Sequence, residues 1–560
     1  MTLESKKKWM MPENDQGSFL ERLLEGREIS NTETFLNPDI AVLGNFSSLY
    51  NVKKASKTIL KAVEEEKKIY IHGDFDADGI CATALLWKFL YKDLSEYLDK
   101  KVSVMPYIPD RGEQGYGLTK SSLEEIKNKG GEFVITVDCG IRDFELIKKY
   151  KDLSFVVTDH HELPEPFDLN HKYPIVHQMY PSHEYPNQKI CGTAIVFFLI
   201  QQIKKDIGME YEITEGTEGL DLVALATVTD IMPLLNENRT LVYYGLKQLN
   251  EKPRTGIQKL CEVSKVEPKD LDTYHLGFLL GPRINVSGRI GDPLKAVKLL
   301  VSNDEKTCSD IAYELNGLNY QRQEMTKEAL EKAEKEVNTK NRLFIYFDPD
   351  IHEGIVGLVA GKLQEEYNIP CLVITELEGE LRGSARSING FNITKALEES
   401  SQYLDRFGGH AQAAGFSLKK KNLEKFKENM FKITKRDITD EMLIPELRID
   451  MIITPEDVSY DLLNTVNKLK PYGYGNPKPN MMIRNLEVAG KRILGQSGNH
   501  MKLDIRRKDG NTISMIMFNC DEDVEKIKIG DVMDVVGNIY LNSWNGNDSL
   551  EFQIKEWRFS

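Results

Sequence analysis

The chain has 560 residues, with 73 Lys and Arg against 87 Asp and Glu for a formal charge of −14. At about 150 residues per domain this length suggests three or four domains and excludes a miniprotein stapled by disulfides. With 41% hydrophobic and 29% charged residues it is neither a disordered nor a membrane chain, and its acidity argues against a general nucleic-acid-binding coat while leaving room for a local basic groove.

At the N-terminus, MTLESKKKWMMPENDQG has no apolar stretch behind its lysines. The longest apolar run, Thr193 to Ile200, is far short of the ~20 residues of a membrane span, so a cytoplasmic, unanchored protein is expected. The seven cysteines, Cys81, Cys139, Cys191, Cys261, Cys308, Cys371 and Cys520, are scattered and form no C-x-x-C pair. Buried thiols in a reducing compartment are expected, without zinc or a disulfide framework. From about Lys68 to Asp230, short apolar runs (KKIYIHG, VSVMPYI, EFVITVDCG, LSFVVTDHH) alternate with helix-like stretches. That alternation predicts a parallel α/β sheet, whose ligands bind where strands end and helices begin. Asn303 to Asn338 is charged and free of Pro, with Ile311, Leu315, Leu318 and Leu330 spaced for one apolar stripe: a connector helix. A second α/β stretch (RLFIYFD, GIVGLVAGKLQEEY, PCLVITEL) ends in the glycine-rich FGGHAQAAGF, followed by a lysine-rich helix. From about Pro445, strand-like runs separated by turns predict a small all-β barrel.

The residues after the first set of apolar runs are strongly acidic. His72-Gly-Asp74-Phe-Asp76-Ala-Asp78-Gly79 follows KKIYI. Three carboxylates at alternate positions repel one another unless a cation or a buried network neutralises them, and hard oxygen ligands suit Mn²⁺, Mg²⁺ or Ca²⁺. An EF-hand does not fit, since position twelve from Asp74 is Leu85 and the preceding element reads as a strand; a turn with capping aspartates is the plainer alternative. FVITVDCG delivers Asp138, FVVTDHHE delivers Asp159, His160 and His161, and DLVALATVTD delivers Asp230. A strand-end Asp or a lone His means little, but this set supplies enough ligands for two cations of the kind that activate water and clamp a phosphoryl group. HHELPE lacks the second His of H-E-x-x-H, so no zincin signature is present.

HGDFDADG, TVDCG, TDHH and DLVALATVTD stand in this order together with GYGL, GPRINVSGRIGDP, HEGIVGLVAGKL, GSARSI, GGHAQAAGF and PYGYGNPKP. The chain thereby resembles the DHH phosphoesterases from about residue 45 to its end, and within them the branch of single-strand-specific 5′→3′ exonucleases. The resemblance implies a 1–45 N-terminal segment, a parallel-sheet DHH catalytic domain (46–302), a connector helix (303–338), a second α/β DHHA1 domain binding substrate (339–437) and an all-β OB-fold domain binding nucleic acid (438–560). It implies that Asp76, Asp78, Asp138, His160 and Asp230 hold two metals, Mn²⁺ or Mg²⁺, with Asp138 bridging. His72 matches a ligand position in related pyrophosphatases, and Asp74 stands close enough to be a ligand or a partner behind the ligands. His161, with Asp159 and His410, is implied in catalysis, and a metal-activated water is the attacking group. Arg111, Tyr116, Arg283, Arg289, Ser384, Arg386, Gly408 and Gly409 are implied in substrate binding, Arg111 and Arg386 with Ser384 through the phosphate of the 5′ end and Tyr116 by stacking on a base. Lys491, Arg492, Lys502, Arg506, Arg507 and Lys508, with Trp544, look like a strand-tracking surface.

Two departures stand out. Where the family usually shows Asn-Pro after the double His, this chain reads VHQMYP at Val176–Pro181, and CGTAIVFF at Cys191–Phe198 replaces the usual G-V-A pattern. No G-x-x-x-x-G-K-[ST] occurs, so a separate helicase is needed to open duplex. The implied substrate is single-stranded DNA, degraded to mononucleotides in recombination and repair, with single-strand-binding protein and a RecQ-type helicase as partners of a monomer. The alternatives are a phosphodiesterase for short oligonucleotides or cyclic dinucleotides and a non-catalytic DNA-binding scaffold; loss of acidic ligands would mark the scaffold, and here all are present.

Overall fold

The computed structural model describes residues 7–13, 16–27, 29, 31–109, 117–165, 167, 171–181, 185–338, 341–495, 498–520, 526–544 and 547–560. The chain divides into two units, one of residues 38–437 and 473–475, the other of 1–37, 438–472 and 476–560. The first strand, β1 (Lys8–Met10), belongs to the second of these.

In the larger unit β2 (Ile69–Gly73), β3 (Val104–Tyr107), β4 (Phe133–Val137), β5 (Ser154–Thr158) and β6 (Ile175–Val176) form one sheet in the order β3-β2-β4-β5-β6. Every pairing is parallel, with Gly73 opposite Val137 and Val137 opposite Thr158. Side chains alternate between two cores: Ile69, Ile71, Phe133, Ile135 and Val156 enter one, Tyr70, Val134, Phe155 and Val157 the other. Both faces are therefore covered, which is why the runs read as continuously apolar. The helices α1 (Val52–Glu64), α2 (Ala77–Lys88), α3 (Gly192–Ile207) and α4 (Leu220–Thr229) pack on the first face, α2 against both α3 and α4. Parallel register brings the C-terminal ends of β2, β4 and β5 to one edge, and with them Asp74–Asp78, Asp138 and Asp159–His161.

A helix of 30 residues, α5 (Glu305–Glu334), follows, about 45 Å long at 1.5 Å per residue. Cys308, Ile311, Ala312 and Leu315 are buried along its first half; further on the stripe runs through Thr326, Ala329 and Ala333, with Leu330 only half-buried. It leads to a mixed sheet of β7 (Phe344–Phe347), β8 (Cys371–Leu377), β9 (Glu380–Arg386), β10 (Arg406–Gly409) and β11 (Ala413–Lys419) in the order β10-β11-β9-β8-β7. The helix α6 (Glu353–Tyr367) packs on β8 and β9.

In the smaller unit β12 (Glu446–Arg448) pairs in parallel with β1. The strands β13 (Met451–Ile453), β14 (Met481–Leu494), β15 (His500–Arg506), β16 (Thr512–Met517), β17 (Val532–Trp544) and β18 (Asn547–Phe559) run β13-β14-β15-β16-β18-β17, and β14 also pairs with β17, which closes the sheet into a barrel. The buried Arg27 guanidinium meets Asp450 at 3.3 Å and Asn476 Oδ1 at 2.8 Å, tying the N-terminal segment to the barrel unit. Among the described residues no helix is long and apolar enough to cross a membrane. All seven cysteines are free, six of them buried.

Candidate active site

The loop after β2 folds back on itself. Asp76 caps α2, its Oδ1 accepting from the N–H groups of Asp78 at 3.0 Å and Gly79 at 3.1 Å. A Cβ on Gly79 would fall 2.5 Å from the Asp74 carbonyl oxygen, so only glycine lets the chain approach this closely. The GPRINVSG segment, Gly281–Gly288, braces the loop: Asn285 Oδ1 accepts from the Ala77 N–H at 2.7 Å, and a Cβ on Gly288 would lie 1.9 Å from the Phe75 carbonyl oxygen. Asp78 caps α3, accepting from the Gly192 N–H at 2.6 Å and from the Thr193 N–H and hydroxyl at 2.7 and 2.6 Å. Asp138 adopts φ 62°, left-handed backbone that few residues other than glycine tolerate; such strain accompanies functional sites.

Asp159 organises the histidine pair. Its Oδ1 accepts from the His160 N–H at 2.7 Å, the His161 N–H at 3.1 Å and His161 Nδ1 at 2.8 Å, and its Oδ2 accepts from the Ile141 N–H at 2.9 Å. Because the carboxylate can only accept, Nδ1 of His161 carries the proton and Nε2 is left for other partners. Burial pulls the His161 imidazole down, but the Asp159 charge and hydrogen bond outweigh it and push it up to about 9. Burial in turn would raise Asp159, and His161 holds it well below the usual range instead. His160 Nε2 stands 3.1 Å from Asp138 Oδ1, 3.5 Å from Asp230 Oδ2 and 3.8 Å from Asp78 Oδ2. Behind the pair, the Gln178 amide donates to the His160 carbonyl at 2.8 Å and His177 Nε2 lies 2.8 Å from the His161 carbonyl.

Three groups of potential ligand atoms each lie within 4.8 Å of one another: Asp74, Asp76 and Asp138; Asp138, His160 and His161; Asp78, His160 and Asp230. Burial, then repulsion from Asp78, pushes the Asp76, Asp138 and Asp230 carboxyls up. Asp138 Oδ1, His160 Nε2 and Asp230 Oδ2 are buried without a hydrogen-bond partner. Orphaned donors for a cation, in a set dominated by hard oxygen with imidazole, fit Mn²⁺ or Mg²⁺. His72 lies outside the three groups: it is buried, with Nε2 3.3 Å from Ser122 Oγ and Nδ1 3.7 Å from Cys139 Sγ, and burial pushes it down to about 4.

A cleft of about 670 Å³ opens beside this centre, lined by Phe75, Arg142 and His161 on one wall and by Ser384, Arg406 and Gly408–His410 on the other. His410 Nδ1 reaches Glu162 Oε2 at 3.2 Å across it. Arg386 sits behind Ser384, donating to its hydroxyl at 2.9 Å. Arg283 donates inward to the Leu279 carbonyl and Asn316, Arg289 to the Gly354 carbonyl, and neither lines the cleft. Arg111 and Tyr116 lie outside the described residues, as does the Trp544 side chain. In the barrel unit, Lys502 pairs with Glu551 at 2.7 Å, Arg492 approaches Asp504 at 3.5 Å and Arg506 approaches Glu487 at 3.7 Å. Lys491 and Arg507 donate to the Ile527 and Val458 carbonyls, and Lys508 offers its backbone N–H to Glu456. Sequence reasoning missed Arg142 and Arg406, which line the cleft with no ion pair among the described residues. Their signal was position, four residues after Asp138 and directly before Phe407-Gly-Gly-His410.

Acidic loops at the carboxyl edge of a covered parallel sheet, facing a Gly-Gly-His strand of a second α/β domain across a cleft, place the chain in the DHH class. Family models agree: the DHH family N-terminal domain matches residues 68–227, the DHHA1 domain 340–436 and the RecJ OB domain 449–556. A Haemophilus influenzae protein named single-stranded-DNA-specific exonuclease RecJ is 30% identical over 96% of this chain and 95% of its own length. A Bacillus subtilis protein of the same name is 33% identical over 90% of this chain, which spans 63% of that longer relative. The crystal structure of RecJ in complex with Mn²⁺ from Thermus thermophilus has the same fold, with a TM-score of 0.82 at 24% identity over 99% of this chain and 80% of that one. The chain belongs to the RecJ family.

Proposed function

We propose that this chain is a metal-dependent nuclease that degrades single-stranded DNA from its 5′ end to mononucleotides. The observation that carries the reading is the set of buried ligand atoms on Asp138, His160 and Asp230, none with a hydrogen-bond partner, beside a cleft bearing Arg142 and Arg406; membership of a family whose named members are single-stranded-DNA-specific exonucleases supports it. Asp74, Asp76, Asp78, Asp138, His160 and Asp230 would hold two cations, Mn²⁺ or Mg²⁺, with Asp138 contributing to both. Bound there, the cations supply the positive charge that stabilises a phosphoryl oxygen and acidifies a water. His161, which Asp159 holds as the imidazolium with protons on both ring nitrogens, offers Nε2–H to a phosphate oxygen as charge develops. Ser384 with Arg386, and the backbone of Gly408 and Gly409, hold the strand's end, while the Glu162–His410 contact spans the cleft.

The barrel unit would track the strand, single-strand-binding protein and a RecQ-type helicase would supply it, and the enzyme would act as a cytoplasmic monomer in recombination and repair. The test is digestion of a long single strand labelled separately at each end, with Mn²⁺ or EDTA, alongside Asp138→Ala. Metal-dependent release of the 5′ label as mononucleotide, abolished in the variant, is expected. An intact long strand with cleaved dinucleotides would replace this reading with a short-oligonucleotide phosphodiesterase.

A further inference from the structure

The segment VHQMYP, Val176–Pro181, lies directly behind the histidine pair. His177 and Gln178 are buried, at 0% and 1% exposure, and their side chains address consecutive carbonyl groups. Gln178 Nε2 donates to the His160 carbonyl at 2.8 Å and reaches the Gln188 carbonyl at 3.4 Å, while its Oε1 has no hydrogen-bond partner. The donation is therefore what this buried amide contributes. The Met179 N–H donates to His177 Nδ1 at 3.0 Å, so Nδ1 is the acceptor and Nε2 carries the proton, which it gives to the His161 carbonyl at 2.8 Å. Asp159 grips the N–H groups of His160 and His161 from one side, and His177 and Gln178 grip their carbonyls from the other. A proline at 178 could make no such bond, since it has no side-chain donor.

We propose that His177 and Gln178 are positioning residues with separate charges: Gln178 orients His160 and thereby sets metal affinity, and His177 orients His161 and thereby sets the rate of the chemical step. This rests on the functional reading above, in which His160 is a ligand and His161 meets the phosphate. Partners that orient ligands change metal affinity or activity by about 10- to 100-fold when removed.

The test measures Mn²⁺ binding to the DNA-free protein by isothermal titration calorimetry, kcat and KM on an end-labelled single strand at saturating Mn²⁺, and thermal unfolding. Gln178→Met should weaken Mn²⁺ binding about 10- to 100-fold, with kcat returning towards wild type once Mn²⁺ saturates. His177→Leu should leave Mn²⁺ affinity within about twofold and lower kcat about 10- to 100-fold at unchanged KM. His177→Gln, which keeps a donor at the same reach, should recover kcat. If the apolar variants do not fold, Gln178→Asn and His177→Asn, whose shorter amides fall short of the carbonyls, take their places. Folded variants with wild-type affinity and kcat overturn the proposal, and so does a parallel loss of both quantities that tracks the loss of thermal stability. A wild-type protein that binds Mn²⁺ but cuts no strand would instead defeat the functional reading, and the calorimetric arm would still decide the role of Gln178.

Discussion

Gly288→Ala tests how tightly the acidic loop is braced. The added methyl would lie 1.9 Å from the Phe75 carbonyl oxygen and 2.8 Å from its carbonyl carbon and Cβ, where ordinary contact begins at 3.4 Å. The atoms met are backbone and the Phe75 Cβ fixed to it, so the loop between Asp74 and Asp78 must move away by roughly 1.5 Å, since no flexible side-chain end can yield. Overpacking of this kind costs about 1–3 kcal/mol of stability, and a misplacement near 1 Å costs about 10²-fold in rate. The assay is steady-state digestion of an end-labelled single strand at saturating Mn²⁺, paired with thermal unfolding. Gly317→Ala serves as the control: it lies exposed on α5 with nothing within 4 Å of the added Cβ, and should gain up to about 1 kcal/mol from helix propensity at unchanged rate. Gly288→Ala with a rate within about threefold of wild type would refute the claim that the GPRINVSG segment, Gly281–Gly288, sets the geometry of the acidic loop.

Arg142→Ala and Arg406→Ala should each flatten the dependence of log affinity on log salt by about 0.7, the value for one phosphate of a single strand; binding measured on the inactive Asp138→Ala background checks this, and an unchanged slope removes that arginine from the strand's path. Burial raises Glu237 to about 7 from 4.5, against hydrogen bonds from Tyr185 and Asn187 that pull it down. Between those values the unfolded chain has released a proton that the folded chain keeps, so this group's contribution to stability falls as pH rises from about 4.5 to about 7 and is level above. Discounted for the residue's partial exposure, the loss is about 2 kcal/mol; Glu237→Gln should flatten the urea-unfolding midpoints between pH 5 and pH 8, and parallel profiles would contradict the assignment. Arg27→Met leaves Asp450 buried without its cation, so the barrel unit should lose about 3–5 kcal/mol; a shift under about 1 kcal/mol in its denaturant unfolding would mean the pair is solvated.

The catalytic sheet is legible in the sequence because strands covered on both faces carry uninterrupted apolar runs, and the acidic residues that end them share an edge once the strands are parallel. Asp230 was found the same way, although its element, α4, is a helix: buried on all sides, it has no amphipathic period to distinguish it from a strand. Spacing carries less about what a side chain touches. Asp159 reads as one more strand-end carboxylate, and only its three bonds to the histidine pair show it to be the brace. Arg283 and Arg289, implied in substrate binding, donate to the Leu279 carbonyl and Asn316 and to the Gly354 carbonyl, while Arg142 and Arg406, unremarkable in sequence, line the cleft. The barrel's lysines and arginines form a basic run in sequence, but Arg492 and Arg506 meet carboxylates across the β14–β15 pair and Lys502 meets Glu551 of β18, beyond β16, partners that exist only after the register is set.

The pairing of β1 with β12 makes the barrel unit discontinuous, with residues 38–437 of the larger unit inserted between its two parts. At a synthesis rate of about 5–20 residues per second, Lys8–Met10 waits roughly 20 to 90 s for Glu446–Arg448 to emerge. During that interval the first strand is an open edge with no neighbour, while the sheet carrying the acidic loops already has its full complement of strands. Assembly on the ribosome is thus ordered by topology: the half bearing the acidic loops can mature first, and the half proposed to hold the strand closes only when the last barrel strands leave the exit tunnel.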